Sequence, residues 1–536
     1  MSPVRHGPRK FKQMALEVAT RNPERLEGIL QTLSKFKGDV LNEANILKIY
    51  AQLYLDGAVV SRNLDLQSMS VSDIKAYIKD HNTHNNEWGY PTGYQAAFTR
   101  YLKTLSEFGF IYSQYNEPLR ISPVGQAVLS GVITLSEAFA LQSIRFWRKS
   151  PYRRVLNDFN YFKFIVDVIR AREDAGHMLS YPQLMLSLFS EDGDVEGFIQ
   201  LLESYRIGNS LDSTYELAKQ LYSKEDGNHA KIANQHSCFN DYGDSVFRVL
   251  QLTGFISVQY QGIMMLTTNS VRMDMYRDLV NMHFTLPETA KEDYFEYFEV
   301  LGSITPDIIQ CIHSHRDEQA ASVDRYNYKL DQIVQAYNLT EEFLADYLDE
   351  VSQGAEDRRV FRFIQVPLKF EFLLSLYMYV CLGDEYTYKP NYLCDDAGIP
   401  YSHAPGNVGD IEVFNFERYW LIEVTLIRNR TQQINNETIN LFRHIDSNHY
   451  GAKYMSLVAP VIHEDTELLI KVATVIAMQE RSTILYSKPY TTTSFIENMK
   501  SRNCIIDMQE STMQFISNMG QFLSRISKDS RIISES

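Results

Sequence analysis

The chain has 536 residues, 44% of them hydrophobic and 22% charged, with a formal net charge of −15. That is too long for a single core and predicts two to four domains, with no stretch polar enough for disorder. No apolar run reads as long enough to span a bilayer, and the basic start MSPVRHGPRKFKQ has no apolar segment behind it to make a secretory signal. Cys238, Cys311, Cys381, Cys394 and Cys504 are scattered without CxxC spacing, so neither a disulfide framework nor structural zinc is expected, and the chain is read as cytoplasmic.

Net acidity argues against a nucleic-acid partner, but binding follows the local field and the charge is uneven. Arg5, Arg9, Lys10, Lys12, Arg21, Arg25, Lys35 and Lys37 outnumber the acids near the start. A second basic cluster, Arg145, Arg148, Lys149, Arg153 and Arg154, is interleaved with Phe146, Trp147 and Tyr152. Each cluster is either a surface for phosphates or a solvated face.

Tyr94–Phe108 has the apolar spacing of an amphipathic helix through Ala97, Phe98, Tyr101, Leu102 and Leu105, and Gly109 stops it. Phe110–Tyr115 alternates like a strand, Asn116-Glu117-Pro118 turns, Leu119–Ser122 returns, and a helix starts at Pro123. Helix, strand, turn, strand is the body of a winged helix, in which the helix enters the major groove and the hairpin lies along the backbone. The pattern recurs: Gly254-Phe255-Ile256 matches Gly109-Phe110-Ile111, Gln259-Tyr260 matches Gln114-Tyr115, and the register holds to Ser122 and Thr267. Two winged-helix-like units are therefore expected, near 90–130 and 235–275, within a recognition region over 1–285.

Residues 286–354 read as a helical linker. The sequon Asn338-Leu339-Thr340 is better read as a helix start, with Thr340 as cap and Glu341 and Glu342 in the first turn. Ser352-Gln353-Gly354-Ala355 ends that helix and sets the expected start of the last domain, 355–536.

In that last third, Pro367–Leu382 is an apolar helix with Pro at its start and Gly383 at its stop. Glu371 is the odd residue in it, because a carboxylate among Phe and Leu side chains costs free energy unless it meets a cation, a metal or a donor. A turn-rich stretch follows, and then Asp410–Phe414 and Arg418–Ile427 form a β-hairpin around Asn415-Phe416-Glu417. Alternation puts Asp410 and Glu412 on one face of the first strand and Leu421, Glu423 and Thr425 on one face of the second. Folding the hairpin brings Asp410 and Glu423 together, and two carboxylates so placed call for a hard cation such as Mg²⁺, with the Val424 carbonyl as a third oxygen ligand. A helix over Arg430–Ile445 would put Glu437 and His444 on one face, two turns apart, to add a carboxylate and a phosphate contact or proton shuttle.

Phe363–Glu371, Pro390-Asn391-Tyr392 with Asp395-Asp396-Ala397-Gly398, and Gly409-Asp410-Ile411-Glu412 followed by Glu423-Val424-Thr425-Leu426 resemble the type IIS restriction and nicking endonucleases of the AlwI, PleI and MlyI group. The likeness is most specific over 363–445. It implies an α+β multidomain chain: a mostly helical N-terminal half with two winged-helix units, a helical linker, and a C-terminal α/β nuclease domain of the PD-(D/E)xK type. It implies a bacterial enzyme that binds a short asymmetric site on double-stranded DNA. Such an enzyme cuts a few base pairs outside the site, leaving 5′-phosphate and 3′-hydroxyl ends. Glu371, Asp410, Glu423, Glu437 and His444 fall at the group's active-site positions, with Asp410, Glu423 and the Val424 carbonyl holding Mg²⁺. Thr425 stands where most PD-(D/E)xK nucleases have Lys, as in similar enzymes of this group, which leaves His444 as the candidate general base.

One metal site cuts one strand at a time, so second-strand cleavage calls for a transient homodimer, a second subunit or repositioning. A strand-specific nicking form of the same enzyme is the neighbouring alternative. A non-catalytic winged-helix DNA-binding regulator would account for the repeat but would leave the five acid and imidazole side chains unexplained as a set. The Gly-rich cofactor loop and Asn/Asp-Pro-Pro-aromatic motif of a methyltransferase are absent, as is a P-loop.

Overall fold

The computed structural model describes residues 8–534 apart from 24, 60–68, 81–92, 206–209, 261, 317–323, 356–359, 405–407, 445–451 and 482–483; the side chains at 324–326, 431, 435–437, 439–440, 481, 523 and 525–534 also lie outside the described residues. The chain folds as two units, Met1–Gln319 and Ala320–Ser536, both mixing helix and sheet.

In the first unit, the helix Gly93–Glu107 buries Phe98, Leu102 and Leu105. It stops at Gly109, whose φ of 72° is left-handed and free of penalty only for glycine. Strands β1 (Ile111–Tyr112) and β2 (Arg120–Ile121) then pair antiparallel. Ser122 caps the helix Pro123–Leu129 by accepting from the Gly125 N–H, and Pro123 sits where an N–H has no helical partner anyway. The repeat places the same elements again. The helix Asp244–Leu252 ends at Gly254, φ 71°, ahead of a second hairpin. A short strand β3 (Leu179–Ser180) flanks that hairpin, made of β4 (Ile256–Tyr260) and β5 (Met264–Thr268), in the order β3-β5-β4. In the first copy a single antiparallel bridge, Val40 to Pro118, holds the position that β3 holds in the second.

The copies differ in what covers them. Tyr112 of the first hairpin is buried, edge-on to Phe295 at 5.3 Å, and Arg120 lies over the same ring. Gln142 and Arg145 reach the Leu301 carbonyl and tie the Leu135–Arg145 helix to the end of the helix Tyr294–Leu301. Gly302 packs so closely that a Cβ there would overlap Ser122. The second hairpin has strands of five residues, and its Tyr260 is 45% exposed.

The elements described within the span expected as a linker, 286–354, are helices, and they divide between the units. Tyr294–Leu301 and Pro306–Ser314 belong to the first; Asp324–Ala336 and Glu341–Gln353 belong to the second. Thr340 caps the last of these by accepting from the Phe343 N–H, and Gly354, φ 73°, ends it.

In the second unit the helix Val366–Leu382 starts with Pro367 and stops at Gly383, φ 67°. By length and composition the window Val366–Glu385 is long and apolar enough to cross a membrane, which corrects the expectation that no such run exists; 67% of it is buried inside the protein, as in the core helix of a globular fold. Beside it lie β6 (Thr387–Pro390), the small pair β7 (Leu393–Cys394) and β8 (Pro400–Ser402), and the hairpin β9 (Ile411–Phe414) and β10 (Arg418–Val424). β11 (Ala452–Ala459), β12 (Leu485–Ser487) and β13 (Tyr490–Thr491) complete a sheet ordered β12-β11-β10-β9-β6, with β13 also on β11. β6, β9 and β10 are antiparallel, and β10, β11 and β12 are parallel. Parallel neighbours need long crossovers, here the helical stretch 430–443 and the helix Glu464–Arg481. Tyr419, Leu421, Met455 and Leu457 pack from the sheet against Leu441 and Ile470 of those crossovers. The strand expected over Arg418–Ile427 stops at Val424, where Thr425 turns its N–H to the Val458 carbonyl.

Candidate active site

The basic cluster of the first unit does not make a surface. Arg145 and Arg148 are 5% and 2% exposed. Arg145 donates to the carbonyls of Leu301 and Ser303, and Arg148 donates to those of Ser190 and Lys12. Burial pushes the Arg148 guanidinium well below its ordinary range. Arg153 pairs with the buried Glu107, Lys149 with Asp158 and Glu288, and only Arg154 of the five is exposed. Near the start, Arg9 pairs with Glu292, Arg21 with Asp241 and Lys35 with Asp56, while Arg5 lies outside the described residues.

The second unit holds the acids differently. The ladder between β9 and β10 runs to Ile411 opposite Ile422, so Asp410 and Glu423 come next, on one face at its open end. Asp410 Oδ2 accepts from the Val424 N–H at 2.7 Å, which fixes the Asp410 carboxylate beside the residue whose carbonyl was expected as a ligand. Asn391 holds the backbone there, donating its side-chain amide to the Gly409 carbonyl and its N–H to the Asp410 carbonyl. Glu412, on the same strand face, is consumed by Lys389, Asn391 and Tyr419. Gly409 lets Leu421 and the Glu423 carboxylate pack closely on the backbone: a Cβ there would clash with Leu421 and come within 3.1 Å of Glu423 Oε1.

Glu423 and Glu371 are 4% and 5% exposed, and each meets an imidazole. Glu423 Oε1 lies 2.7 Å from His444 Nδ1, and Glu371 Oε1 lies 2.6 Å from His403 Nδ1. A carboxylate only accepts, so the proton in each contact is on Nδ1. In a neutral His444 ring that leaves the lone pair on Nε2. Burial, and then the charge of Arg443, holds His444 below the usual histidine range, which favours the neutral ring. Its Nε2 and the second oxygen of Glu371 are buried and, among the described residues, have no hydrogen-bond partner. Native interiors rarely leave such atoms unpaired without a functional reason.

The expected helix over Arg430–Ile445 is not uniform. It runs as helix over Arg430–Gln432, as a π-helical turn over Gln433–Thr438 and as helix again over Ile439–Arg443. The wider π turn breaks the regular two-turn spacing assumed between Glu437 and His444. His444 stands just past the helix end, and Ile445 and the Glu437 side chain lie outside the described residues. The structure thus brings the expected residues together as pairs, Asp410 with Val424, Glu423 with His444 and Glu371 with His403. Among the described residues no three of their imidazole and carboxylate ligand atoms lie within 4.8 Å of one another; the side-chain group that does is Asp278, Cys311 and His315 in the first unit. His403 was missed in the sequence, where it lay in a turn-rich stretch; its signal was a histidine following a helix with an unexplained glutamate.

A family model described as "AlwI restriction endonuclease" matches residues 106–305 and 300–497. No curated protein matches the chain. A solved structure, the small subunit of the heterodimeric restriction endonuclease R.BspD6I, is 18% identical, with 35% of this chain and 98% of that chain covered and a TM-score of 0.26. A score that low carries no argument about the fold.

Proposed function

The chain belongs to the AlwI restriction endonuclease family and is therefore a site-specific deoxyribonuclease; from that premise we propose a type IIS enzyme, acting in a bacterial cytoplasm, whose first unit reads a short asymmetric DNA site and whose second unit cuts a few base pairs outside it. The observation that supports the placement of the cutting site is the end of the β9–β10 ladder, where Asp410 and Glu423 share a face. In this reading the second unit is a PD-(D/E)xK-type nuclease domain and the two repeated modules are winged helices.

Restriction endonucleases of this kind work with a divalent metal, and the residues present fit Mg²⁺. Two carboxylates and a carbonyl are hard oxygen donors, and the second oxygen of Glu371 is buried without a partner. Asp410, Glu423 and the Val424 carbonyl would hold the ion. When bound it supplies Lewis-acid stabilisation of charge on the phosphoryl oxygens and a more acidic water. His444, oriented by Glu423 and held neutral, takes a proton at Nε2 from the attacking water. This fills the role left open by Thr425. His403 holds Glu371 in place through Nδ1, and Glu437 completes the acidic set. The products are a 5′-phosphate and a 3′-hydroxyl.

Digestion of plasmid and phage DNA with Mg²⁺, wild type beside Glu423→Ala, followed by end sequencing, tests this. Wild type gives discrete bands whose ends lie at a fixed offset from one site; Glu423→Ala gives none and still shifts the same DNA fragment. Ends in one strand only would identify the nicking form. Intact DNA under Mg²⁺ and Mn²⁺, with a band shift retained, would sink the placement of the cutting site.

A further inference from the structure

A second group of metal-ligating side chains lies in the first unit. Among the described residues, Asp278, Cys311 and His315 bring one ligand atom each within 4.8 Å of one another. Asp278 is on the helix Ser270–Asn281, directly after the second hairpin; Cys311 is on the helix Pro306–Ser314, and His315 is that helix's C-cap. Cys311 and His315 are one turn apart, so they share a face at the helix end where the backbone carbonyls favour a cation. His315 Nε2 and Asp278 Oδ2 are 3.0 Å apart. Tetrahedral zinc, with ligand bonds of about 2.0–2.3 Å, sets its ligand atoms roughly 3.3–3.7 Å from one another. The His315–Asp278 pair is close to that spacing and all three ligand atoms lie within 4.8 Å, so side-chain adjustment at the exposed Asp278 and half-buried Cys311 brings the set onto one ion.

Thiol, imidazole and carboxylate together are a zinc-type donor set, unlike the all-oxygen set of the second unit. His315 is buried, Cys311 is half-buried and Asp278 is exposed, which gives an ion a route in from solvent. His313 turns away to the Val132 carbonyl, and among the described residues no fourth His, Cys, Asp or Glu joins the group. Cysteine spacing gave no warning because only one cysteine takes part and the carboxylate comes from another helix.

We propose that Asp278, Cys311 and His315 bind a zinc ion that clasps the helix Ser270–Asn281 to the helix Pro306–Ser314. The ion ties the second repeated module to the helical segment that follows the one covering the first hairpin. Its role is to hold those helices in register, and it takes no part in phosphodiester hydrolysis.

The test uses full-length protein stripped with chelator, loaded with Zn²⁺ and desalted, with metal counted by mass spectrometry, and separately loaded with Co²⁺. The expected result is one zinc retained per chain and a thiolate-to-cobalt charge-transfer band in the near ultraviolet. Cys311→Ser removes that band, Asp278→Asn and His315→Ala weaken zinc binding by more than about tenfold, and zinc raises the melting temperature of wild type but not of Cys311→Ser. Because Asp278 is exposed, Asp278→Asn keeps the fold and serves if the cysteine variant does not. Zinc lost on desalting, or a cobalt spectrum unchanged by Cys311→Ser, overturns the proposal. Cleavage with Mg²⁺ is read in parallel, so failure of the zinc clasp and failure of the cutting site are separate results.

Discussion

Buried charged groups can be satisfied in two ways, and the two units show both. In the first, Arg145 and Arg148 are met by main-chain carbonyls, whereas its Arg153–Glu107 pair leaves Arg153 Nε and Glu107 Oε1 without a hydrogen-bond partner among the described residues. In the second, Glu371 and His444 each keep one buried polar atom without a partner among the described residues. A saturated buried charge is part of the scaffold, since removing it strands its partners. A half-satisfied one is a cost to the fold, retained for what it binds or moves. The contrast of Arg145 and Arg148 with Glu371 and His444 sets residues that hold the protein together beside residues proposed to act.

The largest effect expected is on catalysis. Glu423→Ala should lower plasmid cleavage on the order of 10³-fold or more, while the thermal melt and the DNA band shift stay at wild-type values; a melt that collapses with the activity would move Glu423 to the scaffold side. Arg148→Ala is the mirror experiment. It strands the Lys12 carbonyl, leaves the Ser190 carbonyl to Asn157 and opens a cavity, at a cost of about 3–5 kcal/mol, and in urea titration its loss of DNA binding should follow the unfolded fraction. Glu371→Gln sharpens the comparison: cleavage falls about 10–100-fold, yet the melting temperature equals or exceeds wild type because a buried anion has been neutralised. Gly302→Ala, which drives a methyl into Ser122, should cost about 1–3 kcal/mol and lower cleavage only through stability, as read by calorimetry.

The smallest effect is a pH dependence in the first unit. Burial opposes the charge on His229, but hydrogen bonds to Asp226 and Glu191 outweigh it and raise the pKa above the ordinary histidine value. A raised folded pKa means the stabilisation is fully present below the unfolded value of about 6.5 and fades as pH rises through the folded value. The difference in melting temperature between wild type and His229→Gln should therefore be widest at pH 6 and shrink towards pH 9; a gap that grows with pH would contradict the assignment.

What could be read from the sequence was set by local rules. Gly109 and Gly254 mark the ends of matching helices because only glycine takes a left-handed φ cheaply, and Thr340, Pro367 and Gly383 mark helix ends for similar one-turn reasons. Glu371 stood out because its neighbours are apolar. The basic cluster at 145–154 deceived because its partners, the carbonyls of Lys12, Ser190, Leu301 and Ser303, are distant in sequence and carry no side-chain signal. The π-helical turn at Gln433–Thr438 has no compositional mark, so a regular helix was the default and the spacing of Glu437 to His444 was drawn from it. His403 meets Glu371 across the whole β6–β8 segment, a pairing that depends on tertiary structure alone.

Gly409 carries one further consequence. Its missing side chain is what lets Leu421 and the Glu423 carboxylate lie so close to the backbone, and a single methyl would push on both. Glycine and alanine codons differ by one base. On the proposed reading, a chain that still finds its DNA sequence but no longer breaks it lies one nucleotide away from the cutter. Such a variant would spare a host the damage while occupying the same sites, and loss of toxicity would then be mutationally separable from loss of recognition.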